Sequence, residues 1–429
     1  MTEAPHNAER LLKRMLEHAY LRPDTISYNC VVDAWAYSGK PESLHKVKHI
    51  WQHMEQLYAE GTTTTKNNND NNNHNSNDDD NNTNNHQDDT KKSIIIKPTI
   101  RTVNSIIHAH SKRVQEYAEA RDFDSARKTA REAEEFLELM KERYEQTQDP
   151  DHMPDVTTYT SVMDAYGRCG RYGSTLRAKA LLDELQLLYQ ETGDPRLKPN
   201  VRTYTSLITA WSKTRSAESP LAAEQLLETM NRSGDPDLQP NARTYTAVIH
   251  AWGRSSDHTK AERALKLLQQ LKQKHKEAVA ANTNPTTIQQ QQQEELKPSL
   301  ATYHAALEAC CRCQGDIEQQ TNALKIAFAI LKTINQRDSG LTATAVTYAT
   351  VLRACGFLLQ PGEQRNQVAT AVFEKAKKAG MADFRVLLQL RKTVDAVVLA
   401  QLLEGLPQDH HGMFDFNGAP PSWSRNVRT

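Results

Sequence analysis

The chain has 429 residues, 25% of them charged and 38% hydrophobic, with 53 basic against 53 acidic side chains and a formal net charge of +0. That length is too great for one compact core and fits several domains or one extended array. A balanced charge excludes a global basic field, so any nucleic-acid role has to rest on charge laid along one face. Six cysteines (Cys30, Cys169, Cys310, Cys311, Cys313, Cys355) follow no secreted spacing, and a mean hydropathy of -0.72 without a long apolar run argues against a membrane span.

The first predicted element is an amphipathic helix, Ala8-Glu9-Arg10-Leu11-Leu12-Lys13-Arg14-Met15-Leu16, running into Pro23-Asp24. It has the pattern of a hairpin's second helix, so residues 1–22 are expected to be a partial repeat, with its first helix and any targeting segment upstream. No signal or transit peptide is visible: Glu3 and Glu9 come early and no apolar core follows them.

From residue 23 one phrase recurs. Pro23-Asp24-Thr25-Ile26-Ser27-Tyr28-Asn29 returns as Pro98-Thr99-Ile100-Arg101-Thr102-Val103-Asn104 and as Pro154-Asp155-Val156-Thr157-Thr158-Tyr159-Thr160. It returns again from Pro199, Pro240 and Pro298, and a seventh time, without its proline, from Thr344. The tyrosine slot falls at 28, 103 (valine), 159, 204, 245, 303 and 348. Proline resets the chain between hairpins, and the Asp, Asn or Ser after it suits a helix N-cap. Six residues past the tyrosine slot an alanine recurs (Ala34, Ala109, Ala165, Ala210, Ala251, Ala309, Ala354), permitting close helix approach. A second amphipathic helix follows each time, as in Ala222 to Met230 and Ala261 to Leu268.

The expected organisation is all-α: a superhelical stack of helix-turn-helix repeats at 23–60, 97–153, 154–198, 199–239, 240–281, 297–343 and 344–380. Between them lie an Asn/Asp-rich insert at 61–96 and a Gln-rich insert at 282–296, both expected to be disordered, because neither can bury apolar area. Residues 381–429 are expected to form capping helices and an irregular tail. The tail is also a candidate docking peptide for a protein factor.

This recurrent phrase with its two helices resembles the pentatricopeptide repeat family, over about residues 8 to 380. The resemblance implies a right-handed α-solenoid and a ligand of single-stranded RNA, each repeat reading one base through two or three side chains. The family's two main readers are the residue after the tyrosine and the last residue before the next repeat. Carried over, they are Asn29 with Thr99, Asn104 with Asp155, Thr160 with Asn200, Thr205 with Asn241, Thr246 with Ser299, and His304 with Thr344. By the family's code, the second, third and fourth pairs would read U-A-A. His304 and Ala349 depart from the usual Asn, Thr or Ser, so the last two hairpins read as structural.

Two further slots bear on RNA. Two residues before the tyrosine stand Arg101, Arg202 and Arg243, where the family sandwiches bases; a guanidinium can stack there. Nine residues after it stands a cation in five consecutive repeats, Lys112, Arg168, Lys213, Arg254 and Arg312, one charge per hairpin along a phosphate backbone. Tyr37 and Phe357 end that row. The plainer reading of these cations is attraction to the C-terminal ends of helices.

No catalytic constellation assembles, so the chain is read as a non-enzyme without cofactor, metal, small-molecule substrate or membrane partner. Cys310-Cys311-Arg312-Cys313 lacks a second ligand pair, and these residues fall where Trp211 and Trp252 fall in sister repeats, so helix packing is expected. Trp35, Trp211 and Trp252 are expected in the core. His410-His411 and Asp78-Asp79-Asp80 sit in polar stretches with no ligand cluster around them. The family mostly works in the mitochondrion or chloroplast, which is what the resemblance implies for location. A protein-binding scaffold is the alternative function.

Overall fold

The computed structural model describes residues 3–18, 20–72, 96–281, 286–336, 340–407 and 414–427. Among the described residues there are helices and no strand. After α1 (Ala4–Glu17) they come as hairpins: α2 (Thr25–Ser38) with α3 (Ser43–Asn72), α4 (Ile100–Glu119) with α5 (Phe123–Thr147), and α6 (Val156–Arg168) with α7 (Tyr172–Thr192). Then follow α8 (Val201–Lys213) with α9 (Ser219–Arg232), and α10 (Ala242–Arg254) with α11 (Lys260–Ala280). A lone α12 (Thr287–Leu296) precedes α13 (Leu300–Cys311) with α14 (Ile317–Ile334), and α15 (Ala345–Leu358) with α16 (Glu363–Lys378). The C-terminal part holds α17 (Phe384–Thr393), α18 (Ala396–Leu402) and α19 (Pro421–Ser424).

Each opening phrase starts a helix, for the expected reason. Asp24, Asp155, Asn241 and Ser299 accept hydrogen bonds from the backbone N–H three residues on, and a Ser or Thr at that third position closes the box in most of them. The tyrosines of the phrase are buried, as is Val103 in their place.

The chain divides into two compact units, Met1–Ala210 and Trp211–Thr429. Within the first, α2 packs on α4 and α4 on α6, with α3 and α5 behind them. Within the second, α10 packs on α13 and α13 on α15, with α11 and α14 behind. The recurrent alanine meets the residue eight past the tyrosine of the preceding repeat. A Cβ placed on Gly167 would lie 2.8 Å from the Ala210 Cβ, and one on Gly253 3.5 Å from the Ala309 backbone. Trp35, Trp211 and Trp252 are buried as expected, and their slot is filled in the other first helices by His110, Tyr166, Cys310 and Cys355, all buried too.

Three features differ from the sequence expectation. The helix α3 runs on to Asn72, past the start of the insert at 61: prolonging a helix is far cheaper than nucleating one, and no proline intervenes. Residues 73–95, with Asp78-Asp79-Asp80, lie outside the described residues. The glutamine tract is not irregular but forms α12, started by a capping box between Thr286 and Gln289 and tied to α11 by Gln293 Nε2 donating to the Ala278 carbonyl at 3.0 Å. Glutamine is a good helix former, which the polarity of the tract concealed. Third, short 3-10 turns at Pro150–His152, Pro195–Leu197 and Pro236–Leu238 bridge three successive repeats. Each follows a left-handed residue (Gln148, Gly193, Gly234) and an Asp whose side chain accepts the second N–H of the turn.

The C-terminal segment closes the second unit. The helix α17 packs on α15, in the place a next first helix would take, and the Thr393 hydroxyl donates to the Leu352 carbonyl at 3.2 Å. Residues 423–426 fold back: Ala382 N–H donates to the Trp423 carbonyl at 2.7 Å, Asn426 N–H to that of Gly380 at 3.0 Å, and the Trp423 ring meets Phe373 edge-on at 5.6 Å. Residues 408–413, with His410-His411, lie outside the described residues.

Candidate nucleic-acid interface

The candidate readers come together in pairs, through a residue the sequence reading passed over. The Thr three residues after each cap (Thr102, Thr158, Thr203, Thr244, Thr302, Thr347) is buried. In four pairs it bridges the readers. Thr102 donates to Asn29 Oδ1 at 2.6 Å and sits 3.4 Å from the Thr99 hydroxyl. Thr203 Oγ1 lies 3.0 Å from Thr160 Oγ1 and 3.3 Å from Asn200 Oδ1. Thr302 lies 2.8 Å from Thr246 and 3.3 Å from Ser299. Thr347 lies 2.7 Å from His304 Nε2 and 3.3 Å from Thr344. In the Asn104–Asp155 pair the buried Asn104 Oδ1 has no hydrogen-bond partner.

These bonds fix what each reader can offer. Thr160 donates its hydroxyl proton to the Val156 carbonyl at 2.7 Å, and Thr246 to Ala242 at 2.6 Å, so each presents an acceptor. Asn200 and Asn241 use Oδ1 as the helix cap, with Thr203 N–H at 3.2 Å and Thr244 N–H at 3.1 Å, which leaves the amide nitrogen as the donor. Asp155 caps in the same way through Oδ1 and, as a carboxylate, is acceptor-only. Exposure differs between the two reader slots. Asn29, Thr160 and Thr205 are buried, while the second readers are half-buried or, at Ser299, exposed.

Arg101, Arg202 and Arg243 are all exposed, as a stacking role requires. The aliphatic residues of the same slot, Ile26 and Val346, are exposed as well. Arg101 lies 3.5 Å from Asp33 Oδ2, an exposed pairing of small energetic weight. The cation row is not wholly free. Lys112 Nζ donates to the Tyr37 carbonyl at 2.9 Å and Arg254 to the Ser212 carbonyl at 3.2 Å. Both carbonyls belong to the last turn of a preceding first helix, where a cation also meets the negative end of the helix dipole. Arg168 donates to Gln115 Oε1, and the Arg312 guanidinium lies over the Phe357 ring. The Lys213 side chain is half-buried.

The cysteine cluster is packing. Cys310 donates its thiol to the Ala306 carbonyl and Cys311 to that of Thr350, at 3.3 and 3.2 Å. Burial raises all three thiols, Cys311 to about 11, so they are inert at neutral pH. Among the described residues no group of three or more His, Cys, Asp or Glu is placed to hold a metal ion, and no helix is long and apolar enough to cross a membrane.

Comparison with known proteins bears on this arrangement directly. The model of the pentatricopeptide repeat domain matches residues 187–253, and that of the PPR repeat matches 157–185 and 243–272. No curated protein matches the chain. Among solved structures it is similar to the pentatricopeptide repeat protein PPR10 from maize, at 16% identity and a TM-score of 0.32 over 94% of this chain. It spans 56% of that protein's length. The matched segments hold the buried tyrosines Tyr159, Tyr204 and Tyr245, and over them the chain is similar to pentatricopeptide repeats.

Proposed function

We propose that the chain binds a short stretch of single-stranded RNA, one base per repeat, through the paired residues at the N-terminal ends of its first helices. The observation that carries this reading is the threonine bridge, which holds two polar side chains of successive repeats together with assigned donor and acceptor faces. A helix pair stacked only for stability has no need of it, since an apolar contact would serve. The donor and acceptor faces match base edges. Acceptor Thr160 beside donor Asn200 suits an adenine, whose edge offers an amino donor at N6 and an acceptor at N1. Acceptor Asp155 suits the N3–H of uracil, with the Asn104 amide nitrogen toward O4. Thr205 with Asn241 repeats the residue types of the adenine pair, so the proposed core is U-A-A. Because Thr160 is buried, the exposed edges of the second readers carry much of the discrimination.

Recruiting or shielding a processing, splicing or translation site in a mitochondrion or chloroplast is the role that fits such a binder in this family. The competing scaffold reading draws on Lys112 and Arg254, whose hydrogen bonds to helix ends give them a structural use. The folded-back tail speaks for a cap over a docking peptide. Salt-dependent binding separates the two. With a U-A-A RNA, the double variant Lys213→Ala, Arg254→Ala is expected to bind more weakly whatever the flanking sequence, with the salt slope flatter by about one phosphate per charge removed. An unchanged affinity and slope would favour the scaffold.

A further inference from the structure

The slot nine residues past the tyrosine holds a cation in five consecutive first helices, but in the first and the last it holds an aromatic ring, Tyr37 in α2 and Phe357 in α15. Both rings are largely open to solvent, Tyr37 at 61% and Phe357 at 57% exposure. The buried core needs neither, and a polar side chain at the end of a helix would cost nothing. Each ring is instead steadied by its neighbours. Tyr37 stacks on His108 at 4.4 Å with 28° between the planes, and Lys112 Nζ sits 5.6 Å from its centre while bonding its carbonyl. The Arg312 guanidinium lies 5.4 Å from the centre of Phe357. In both cases the cation beside the ring is the member of the cation row next to it. The same small arrangement, an exposed ring with a cation at its side, therefore occurs once in each unit, on the helix face that the cations mark.

We infer that Tyr37 and Phe357 are base-stacking platforms for nucleotides flanking the read stretch, and that Lys112 and Arg312 meet the phosphates of those nucleotides. The inference rests on the RNA reading given above. A ring face accepts any base, because every base has a π-face, so these platforms lengthen the footprint without adding sequence information. That division suits a chain whose readable pairs are few: its core selects and its ends hold.

Two RNAs test it, a short RNA of the U-A-A core with a single uridine on each side and a long RNA with the same core and extended uridine flanks. The variants are Tyr37→Leu and Phe357→Leu, which keep apolar bulk and lose the π-face, with Tyr37→Trp and Phe357→Trp as conservative rescues. Stacking predicts that each Leu variant weakens the long RNA about ten-fold or more and leaves the short RNA unchanged, while the Trp variants bind as the parent does. Replacing the uridine flanks by adenosine should leave the pattern in place. The inference is overturned if the Leu variants bind the long RNA as the parent does, or if they weaken both RNAs equally. If the parent binds neither RNA, the RNA reading itself fails and the platforms fail with it.

Discussion

The first helices α6 and α13 share one framework and differ in what they set upon it. Each buries a tyrosine (Tyr159, Tyr303), a threonine just before it (Thr158, Thr302) and an alanine six residues after it (Ala165, Ala309). On the remaining surface they part. The helix α6 carries Thr160, Asp164 bonded to Ser206 Oγ, and Arg168. The helix α13 carries His304, Glu308 paired with Arg353, and, at its C-terminal end, Arg312 over the Phe357 ring. Framework positions are set by packing and recur wherever a repeat is stacked. On the proposed function Thr160 and His304 stand where a base would be met, and there the two helices differ.

The sharpest way to break that comparison is at the helix-to-helix approach. Gly167 leaves no room for a side chain, since its Cβ would lie 2.8 Å from the Ala210 Cβ, whereas the Gly253 position offers ordinary contact at 3.5 Å. Gly167→Val should cost about 3 kcal/mol or more in urea unfolding followed by circular dichroism. Gly253→Ala should be neutral or stabilising by up to about 1 kcal/mol, through the helix propensity of alanine. Equal effects at the two sites would mean that the stacking rule is not shared.

The core slot seven residues past the tyrosine offers a second comparison. In α10 it holds Trp252, whose indole N–H reaches Glu224 at 3.0 Å. In α4 it holds His110, fully buried, with Nδ1 donating to the Ile106 carbonyl at 2.9 Å and Nε2 unpartnered, 3.7 Å from Glu132. Burial pulls this imidazole down to about 4, against a backbone hydrogen bond and Glu132, which hold it up, and with nearby Lys48 lowering it further. It is therefore neutral at pH 7. Between its ordinary value of about 6.5 and 4 the unfolded chain takes up a proton that the folded chain refuses. Stability is thus lost as the pH falls through that window, by at most about 3 kcal/mol from this group. The variant His110→Phe should show a shallower acid decline between pH 6.5 and 4, read by denaturant midpoints at each pH. An unchanged decline would place the acid sensitivity elsewhere.

The framework was largely legible in the sequence because its signals are local. Pro then Asp or Asn announces a capped helix, and the Tyr and Ala spacing marks the buried face. The Gly-Asp-Pro turns were equally local and still escaped notice, their period being hidden by Gln148 in the first copy. The helix α12 was obscured by composition, since a polar tract and a helix can share the same glutamines. The threonine bridges were beyond reach for a different reason. Thr160 and Thr203 are 43 residues apart, and Thr246 and Thr302 are 56 apart. Only the stacked hairpins bring them together. The same holds for the cations, whose bonds to Tyr37 and Ser212 depend on the neighbouring repeat.

On the proposed function, paired residues at successive helix starts read bases by their donor and acceptor faces. The most direct measurement of this is a competition between two RNAs that differ only at the middle of the core, U-A-A against U-G-A, for the parent chain and for Asn200→Asp. Adenine offers an acceptor at N1 and guanine an N–H donor. The parent, with its amide nitrogen free, should prefer U-A-A by about ten-fold, the worth of roughly one well-placed hydrogen bond to a base edge. In Asn200→Asp the donor is gone and an acceptor remains, so the preference should pass to U-G-A. Equal affinity for the two RNAs in both proteins would contradict the account.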